Sequence, residues 1–455
     1  MRIKLGIPMT LNEIANAVGG TTSFRGNSLI YHITTDSRIA SSGDLFIPIK
    51  GKRFDGENYV NDVLKKGCYA ISSKTQNADI KTESNDQILL NLASYYCKKL
   101  PYILYRIAIT GSVGKTTTKE FTKALLSEVF ITHFCEGNLN NEIGLPLSIL
   151  SAPENTQILL MEMGMNHAGE ISKMSSCLKP NKAIITNIGS AHIGNLGSRK
   201  NIAKAKLEIA NGMEDGDLFI PAEEELLKTA KNTITVSTTD PRSDYYLEST
   251  ESKIALYKMG KKYVEADFAF SEDHLKKCLM FACATAADLG ISPLAISEGI
   301  SKISSDNIRQ KSIIASGYHF LDDSYNASYE SIIASFDYAK NVKNINSKSL
   351  LLGDVLELGD YSKSIHYKIG KNIPCDIFKQ VFLFGRFADH TAKGAIDNGF
   401  NADMIHKNYS LDRPDITAKQ IADYCKPGDL ILMKASRAVR LERILEYFVK
   451  GAEGD

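Results

Sequence analysis

The sequence predicts an α/β protein of three domains, and three observations carry that prediction. RIAITGSVGKTTTKE, residues 106–120, reads as a short apolar strand, a glycine loop and the opening of a helix. From Tyr102 onward, strand-like runs alternate with helix-length stretches, the pattern of a mostly parallel sheet covered on both faces. Near Arg309 the alternation starts afresh, this time without a second glycine loop. A chain of 455 residues has room for about two to four such units.

Composition narrows the class. Hydrophobic residues make up 43% and charged residues 24% of the chain, the balance of a soluble globular protein. A net charge of +1 gives no bulk attraction to nucleic acid or an acidic membrane. The eight cysteines stand without a Cys-x-x-Cys pair, which argues against a zinc site or a disulfide framework and for a reduced, cytoplasmic setting. The apolar run in MRIKLGIPMTLNEI is too short for a signal peptide, and no run approaches the ~20 residues that span a bilayer. A cytoplasmic monomer with no membrane span is expected.

The first domain is expected over residues 1–98. TLNEIANAVGG reads as a capped helix ending on Gly19-Gly20, and ITTDSR and DLFIPI as strands around the Ser41-Ser42-Gly43 turn. NLASYYCKKL closes the unit as a helix before Pro101. The central domain, 99–308, offers strands IAIT (107–110), QILLMEMG (157–164) and KAIITNIG (182–189), with KEFTKALLSEVF and NIAKAKLEIANGM as helices. TITVST, SKIALYK and KYVEADFAF are expected to add antiparallel strands, and HLKKCLMFACATAADLG to close the domain as an Ala-rich helix. The third domain, 309–455, offers YHFLDD, SLLLGD, QVFLFG and DLILMK as the strands of a Rossmann-like sheet.

Chemistry gathers at the loop. Backbone N–H groups at a helix N-terminus, the helix dipole and one lysine together bind phosphate. Gly111, Ser112, Val113, Gly114, Lys115, Thr116 and Thr117 therefore form the candidate nucleotide-phosphate site. The general phosphate-loop pattern wants glycine where Ile109 stands, so the loop here is the narrower TGxxGKTTT. A bound magnesium ion needs hard oxygen ligands, and the Thr116 hydroxyl follows the loop lysine where such a ligand is found. Glu162 and His192 fall at the carboxyl ends of neighbouring strands, the edge where ligands gather in such sheets. The Asn-Lys-x-Asp run that reads guanine is missing, since Asn181-Lys182-Ala183-Ile184 lacks the aspartate. ATP is the expected nucleotide. Lys206, like Lys204, would be an ordinary solvated lysine on this evidence alone.

TGSVGKTTT, EMG at 162–164, TNIGSAHIGNLGS and AKAKLEI together resemble the Mur ligases, ATP-dependent amide-forming enzymes of peptidoglycan assembly. DDSYNAS (322–328), GDVLELG (353–359), MKASRAVRLERI (433–444) and TDSRIASSGDLFIPIKGKRFDG are similar to the members that add D-alanyl-D-alanine. The match runs in order from about Leu11 to Glu442. The resemblance implies that D-alanyl-D-alanine is joined to UDP-N-acetylmuramoyl-tripeptide through an acyl phosphate. It implies Lys115 on the β- and γ-phosphates, Thr116 and Glu162 on one Mg2+, and His192 on a second. Lys206 would carry a carbamate on the metal side, Arg309 would contact ATP phosphate, and Asp323 would hold the ribose. Ser324, Tyr325 and Asn326 would face nucleotide and dipeptide. Asp36, Ser37, Arg38, Asn140 and Asn141 would serve the UDP-substrate.

Several positions depart from the family pattern. Ile308 stands for a glycine, Tyr329 for a proline and Ala435 for a glycine. The adenine-contacting His-Asn-x-x-Asn reads His274-Leu275-Lys276-Lys277-Cys278, without either amide. A sister ligase adding the third residue would carry Asp-Asn-Pro-Arg in its last domain, and a folylpolyglutamate synthetase-like enzyme would lack the Asp-Ser-Arg domain. Loss of activity in a degenerate nucleotide-binding protein is supported by the departures alone.

Overall fold

The computed structural model describes residues 1–22, 27–51, 54–250, 252–304, 311–408 and 411–452. Among them, three sheets form along the chain. The first has the strand order Arg2–Thr10, Leu29–Thr34, Leu45–Phe46, Tyr69–Ser72, Ile80–Lys81, Thr21–Thr22. Its first strand pairs antiparallel with Leu29–Thr34, but the short Leu45–Phe46 runs parallel to that strand. Helix Leu11–Ala17 starts where Thr10 and Glu13 satisfy each other's backbone N–H groups, a capping box that fixes its first turn.

The central sheet positions the site. Its order is Lys261–Asp267, Lys253–Lys258, Tyr245–Ser249, Thr233–Ser237, Asp217–Pro221, Lys182–Ile185, Tyr105–Thr110, Ile158–Glu162, Thr132–Phe134. The strand entering the glycine loop therefore lies between the strands that end near Glu162 and Thr186. Both its faces are covered: Ile107 and Ile109 pack with Phe121 and Leu125, while Ala108 packs with Met161 and Ala183 on the other side. Phe121 on helix Lys115–Leu126 is fully buried and meets Phe268 edge to face, so Phe121→Ala would cost about 3–5 kcal/mol. The helix Asp273–Asp288 lies against this one, its alanines allowing close approach.

One expectation needs correction. TITVST was expected to pair antiparallel, but Thr233–Ser237 runs parallel to both Asp217–Pro221 and Tyr245–Ser249. The chain crosses over through the turn at Glu225–Leu227 rather than folding straight back, which periodicity within one strand cannot reveal. Antiparallel pairing begins only with Lys253–Lys258 and Lys261–Asp267, joined at Met259-Gly260 with φ of 48° and 73°.

The third sheet runs Lys311–Ala315, Tyr318–Asp322, Leu430–Lys434, Lys348–Leu352, Gln380–Phe384, Ile405–Asn408, parallel except for its first strand. One hydrophobic cluster joins Ile188 and Ile193 of the central sheet's edge loop to Val355 and Leu358 of the third. The two carboxyl edges thus face each other.

Candidate active site

Strand Tyr105–Thr110 is anchored at its end by Thr110, whose hydroxyl donates to Met163 O at 2.8 Å. At Gly111 a Cβ would stand 1.8 Å from Thr186 Oγ1, and at Gly114, with φ of 81°, a side chain would be strained and 3.1 Å from Cys278 Sγ. Both glycines are required by the path of the loop. Helix Lys115–Leu126 then begins, with Thr116 and Thr117 in its first turn. The Ser112 and Val113 N–H groups converge on Asn187 Oδ1 at 2.9 and 3.0 Å, and Lys115 Nζ donates to Gly111 O at 2.8 Å. An amide oxygen thus occupies donors aimed as an anion would need them.

Beside the loop, strand register sets Ile109 against Glu162. Glu162 is fully buried, accepting from Thr116 Oγ1 at 2.7 Å on one carboxylate oxygen and from Asn140 Nδ2 at 2.7 Å on the other. A buried carboxylate and a helix-first-turn hydroxyl are the hard oxygen donors that Mg2+ takes, and the set is too small to be a complete protein cage. Among the described residues no cluster of three or more His, Cys, Asp or Glu side chains could hold a metal alone. The arrangement fits an ion that shares its shell with phosphate and water. Lys206, on helix Arg199–Leu207, is 2% exposed. Burial pushes its ammonium well below the usual lysine range, and the charge of Lys115 pushes the same way.

His192 has φ of 63° at the start of the short helix Ile193–Leu196. Its Nδ1 lies 2.5 Å from Glu357 Oε2 of the third domain, and this contact holds the Glu357 carboxyl below its usual range. On the facing edge, Lys434 is buried between Asp323 Oδ2 at 2.7 Å and Asn326 O at 2.8 Å. Ser324 turns inward, its hydroxyl and N–H donating to Asp322 Oδ1 at 2.5 and 3.0 Å. Tyr325 is exposed beneath the Arg437 guanidinium, 5.5 Å from its ring. Arg309 and Ile308 lie outside the described residues.

These edges enclose a cleft of about 910 Å³ lined by Ser112 to Thr118, His192, Asp323, Tyr325 and Asn326. Leu275 and Cys278, at the positions of the missing amides, line it as well. Their place gives the helix end an apolar wall, with Cys278 Sγ 3.7 Å from Gly114 O. Burial lowers the pKa of His274 beside them, opposed by Asp323 and other nearby acids.

Other predicted residues are held elsewhere. Asp36 and Arg38 form a two-point ion pair, at 2.8 and 2.7 Å, within one turn, while Ser37 O accepts from Lys66 Nζ. Asn141 Oδ1 accepts from the N–H groups of Ile143 and Gly144, where helix Gly144–Leu150 begins. None of these four lines the cleft. Sequence reasoning passed over Asn187, Lys434, Glu330 and Glu357. Asn187, Glu357 and Lys434 all lie within the family motifs, and the positions of Asn187 and Lys434 at strand ends were a further signal.

Comparison with known proteins adds the chain's relatives. The Mur ligase family, catalytic domain matches residues 29–94, the Mur ligase middle domain 109–286 and the Mur ligase, glutamate ligase domain 309–437. A UDP-N-acetylmuramoyl-tripeptide–D-alanyl-D-alanine ligase of Bacillus subtilis is 35% identical, covering 98% of this chain and 99% of its own. The Escherichia coli enzyme of that name is 27% identical, covering 96% and 98%. The crystal structure of MurF from Acinetobacter baumannii superposes with a TM-score of 0.87 at 27% identity, covering 98% of this chain and all of its own. MurF from Thermotoga maritima, in complex with ADP, gives 0.78 at 27% identity, covering 92% and 97%.

Proposed function

The chain belongs to the Mur ligase family, and from that premise we propose that it adds D-alanyl-D-alanine to UDP-N-acetylmuramoyl-tripeptide with consumption of ATP. The product is the UDP-MurNAc-pentapeptide precursor of peptidoglycan. The observation that carries the reading is the pairing of Thr116 with buried Glu162 beside an anion-ready loop, in a cleft bounded by Asp323.

A peptide carboxylate is a poor electrophile with a poor leaving group. Transfer of the γ-phosphoryl of ATP to one carboxylate oxygen gives an acyl phosphate and ADP. The D-alanyl-D-alanine amine then attacks the acyl carbon, and the carbon–oxygen bond to phosphate breaks, leaving amide and inorganic phosphate. The protein supplies positioning and charge neutralisation. Gly111 to Thr117 cradle the phosphates, with Lys115 leaving Gly111 O for the β- and γ-phosphates and the Ser112 and Val113 N–H groups leaving Asn187. Thr116 and Glu162 would hold one Mg2+ and His192 a second; bound Mg2+ neutralises the negative charge gathered between phosphate and carboxylate. Burial disfavours the ammonium form of Lys206; its amine can take up CO2 with release of a proton, and the carbamate so formed would offer the metal side a negative group.

Residues 1–98 bind the UDP-substrate through Asp36, Ser37 and Arg38, with Asn140 and Asn141 on the central side. Residues 99–308 bind ATP, and residues 309–455 bring Arg309 to phosphate, Asp323 to ribose, and Ser324, Tyr325 and Asn326 to nucleotide and dipeptide. The reading takes the protein as a monomer working in the cytoplasm, where UDP-linked substrates are made. Among the described residues no helix is long and apolar enough to cross a membrane. Phosphate release should require ATP, UDP-MurNAc-tripeptide and D-alanyl-D-alanine together, with a product heavier than the tripeptide by the dipeptide less one water. ATP turnover indifferent to the dipeptide would refute the assignment.

A further inference from the structure

We propose that Glu330 is a positioning residue: its carboxylate reaches across from the third domain and fastens the turn that delivers His192, so that domain closure sets the place of that imidazole. The inference rests on the reading of the cleft as a ligase site.

Glu330 lies in the first turn of helix Tyr329–Asn341. That helix is already capped by Ser328 and Ser331, each accepting the other's N–H, so Glu330 is not needed there. Its carboxylate instead accepts from Ser190 N at 2.7 Å and from Ser190 Oγ at 3.1 Å. A Cβ on the preceding Gly189 would stand 2.7 Å from the Glu330 carboxyl carbon, so the bare glycine makes room for the approach. Two residues beyond Ser190 comes His192. On its far side Gly194 N donates to Glu357 O at 3.0 Å, again where a Cβ would collide, at 2.5 Å.

The third domain therefore grips the His192 segment before and after the imidazole. Hydrogen bonds to an ionised carboxylate are the strong kind. Glu330 lines no part of the cleft, so it acts through the turn rather than on substrate.

The test uses the full chain with Glu330→Ala, Glu330→Gln, Gly189→Ala and the Gly189→Ala/Glu330→Ala double variant. Displacing a reacting group slightly costs rate more than binding, so Glu330→Ala should lower kcat about tenfold while KM for ATP stays within about twofold. Glu330→Gln, which retains one carbonyl acceptor, should recover part of the loss. Gly189→Ala should slow the wild-type background yet add nothing in the Glu330→Ala background. Small-angle scattering with a non-hydrolysable ATP analogue should show compaction in the wild type and a weaker change in Glu330→Ala. Wild-type kcat in Glu330→Ala, independent effects of the two substitutions, or unchanged compaction would overturn the proposal. Absence of three-substrate turnover in the wild type would instead refute the parent reading, with scattering still testing the fastening.

Discussion

Where strand Tyr105–Thr110 of the central sheet ends, the chain presents backbone N–H groups and an ammonium; where strand Tyr318–Asp322 of the third sheet ends, it presents carboxylates. The same parallel layout underlies both edges, but the groups are held differently. Lys115 donates to a carbonyl of its own loop at 2.8 Å and lines the cleft. Lys434 is 2% exposed and locked between Asp323 and the Asn326 carbonyl. On the proposed reading one lysine serves a ligand and the other the fold, and substitution should separate them.

The largest effect is expected at the loop. Lys115→Ala should lower kcat by about a thousandfold, the scale of removing a charge that stabilises the transition state, with the thermal unfolding midpoint unchanged. A variant of near-normal rate would overturn the assignment of the loop. The mirror case is Lys434→Met. It takes the ammonium away from a carboxylate that faces the cleft, a loss expected to cost about 1–3 kcal/mol. Denaturant unfolding should record that loss, and, on the proposed role of Asp323 at the ribose, KM for ATP should rise. Equal stability of the two variants would erase the contrast.

Lys206 sharpens the comparison through pH. Its folded-state pKa lies below its unfolded value, so between the two the unfolded chain binds the extra proton and stability rises with pH. In metal-free protein, Lys206→Met should therefore be more stable than wild type at pH 7, with the gap narrowing as pH approaches 10. Unfolding curves at both pH values check the sign, and the variant should have lost turnover. The smallest effect on stability is expected at Arg38→Ala, whose side chain is 86% exposed. The unfolding midpoint should hold while KM for the UDP-substrate rises and KM for ATP does not.

Much of this organisation was legible in the sequence because it is local. The glycine loop, the strands ending near Glu162 and Thr186, and the parallel alternation of the third sheet all leave short periodic marks. The pairing direction of Thr233–Ser237 left none, because direction depends on where a crossover returns the chain. Glu330 was hidden for the same reason: its partner Ser190 is 140 residues away, and a glutamate in a first helical turn is ordinarily read as a cap. The Asp36–Arg38 turn illustrates the converse, since its motif was visible while the structure shows it held by its own ion pair and by Lys66, away from the cleft.

The central claim is that the loop presents the γ-phosphate to a peptide carboxylate rather than to water. Turnover with UDP-MurNAc-tripeptide labelled with oxygen-18 in its terminal carboxylate tests this directly. Each inorganic phosphate released should carry one labelled oxygen, inherited from the acyl phosphate. Unlabelled phosphate accompanying amide formation would contradict the account.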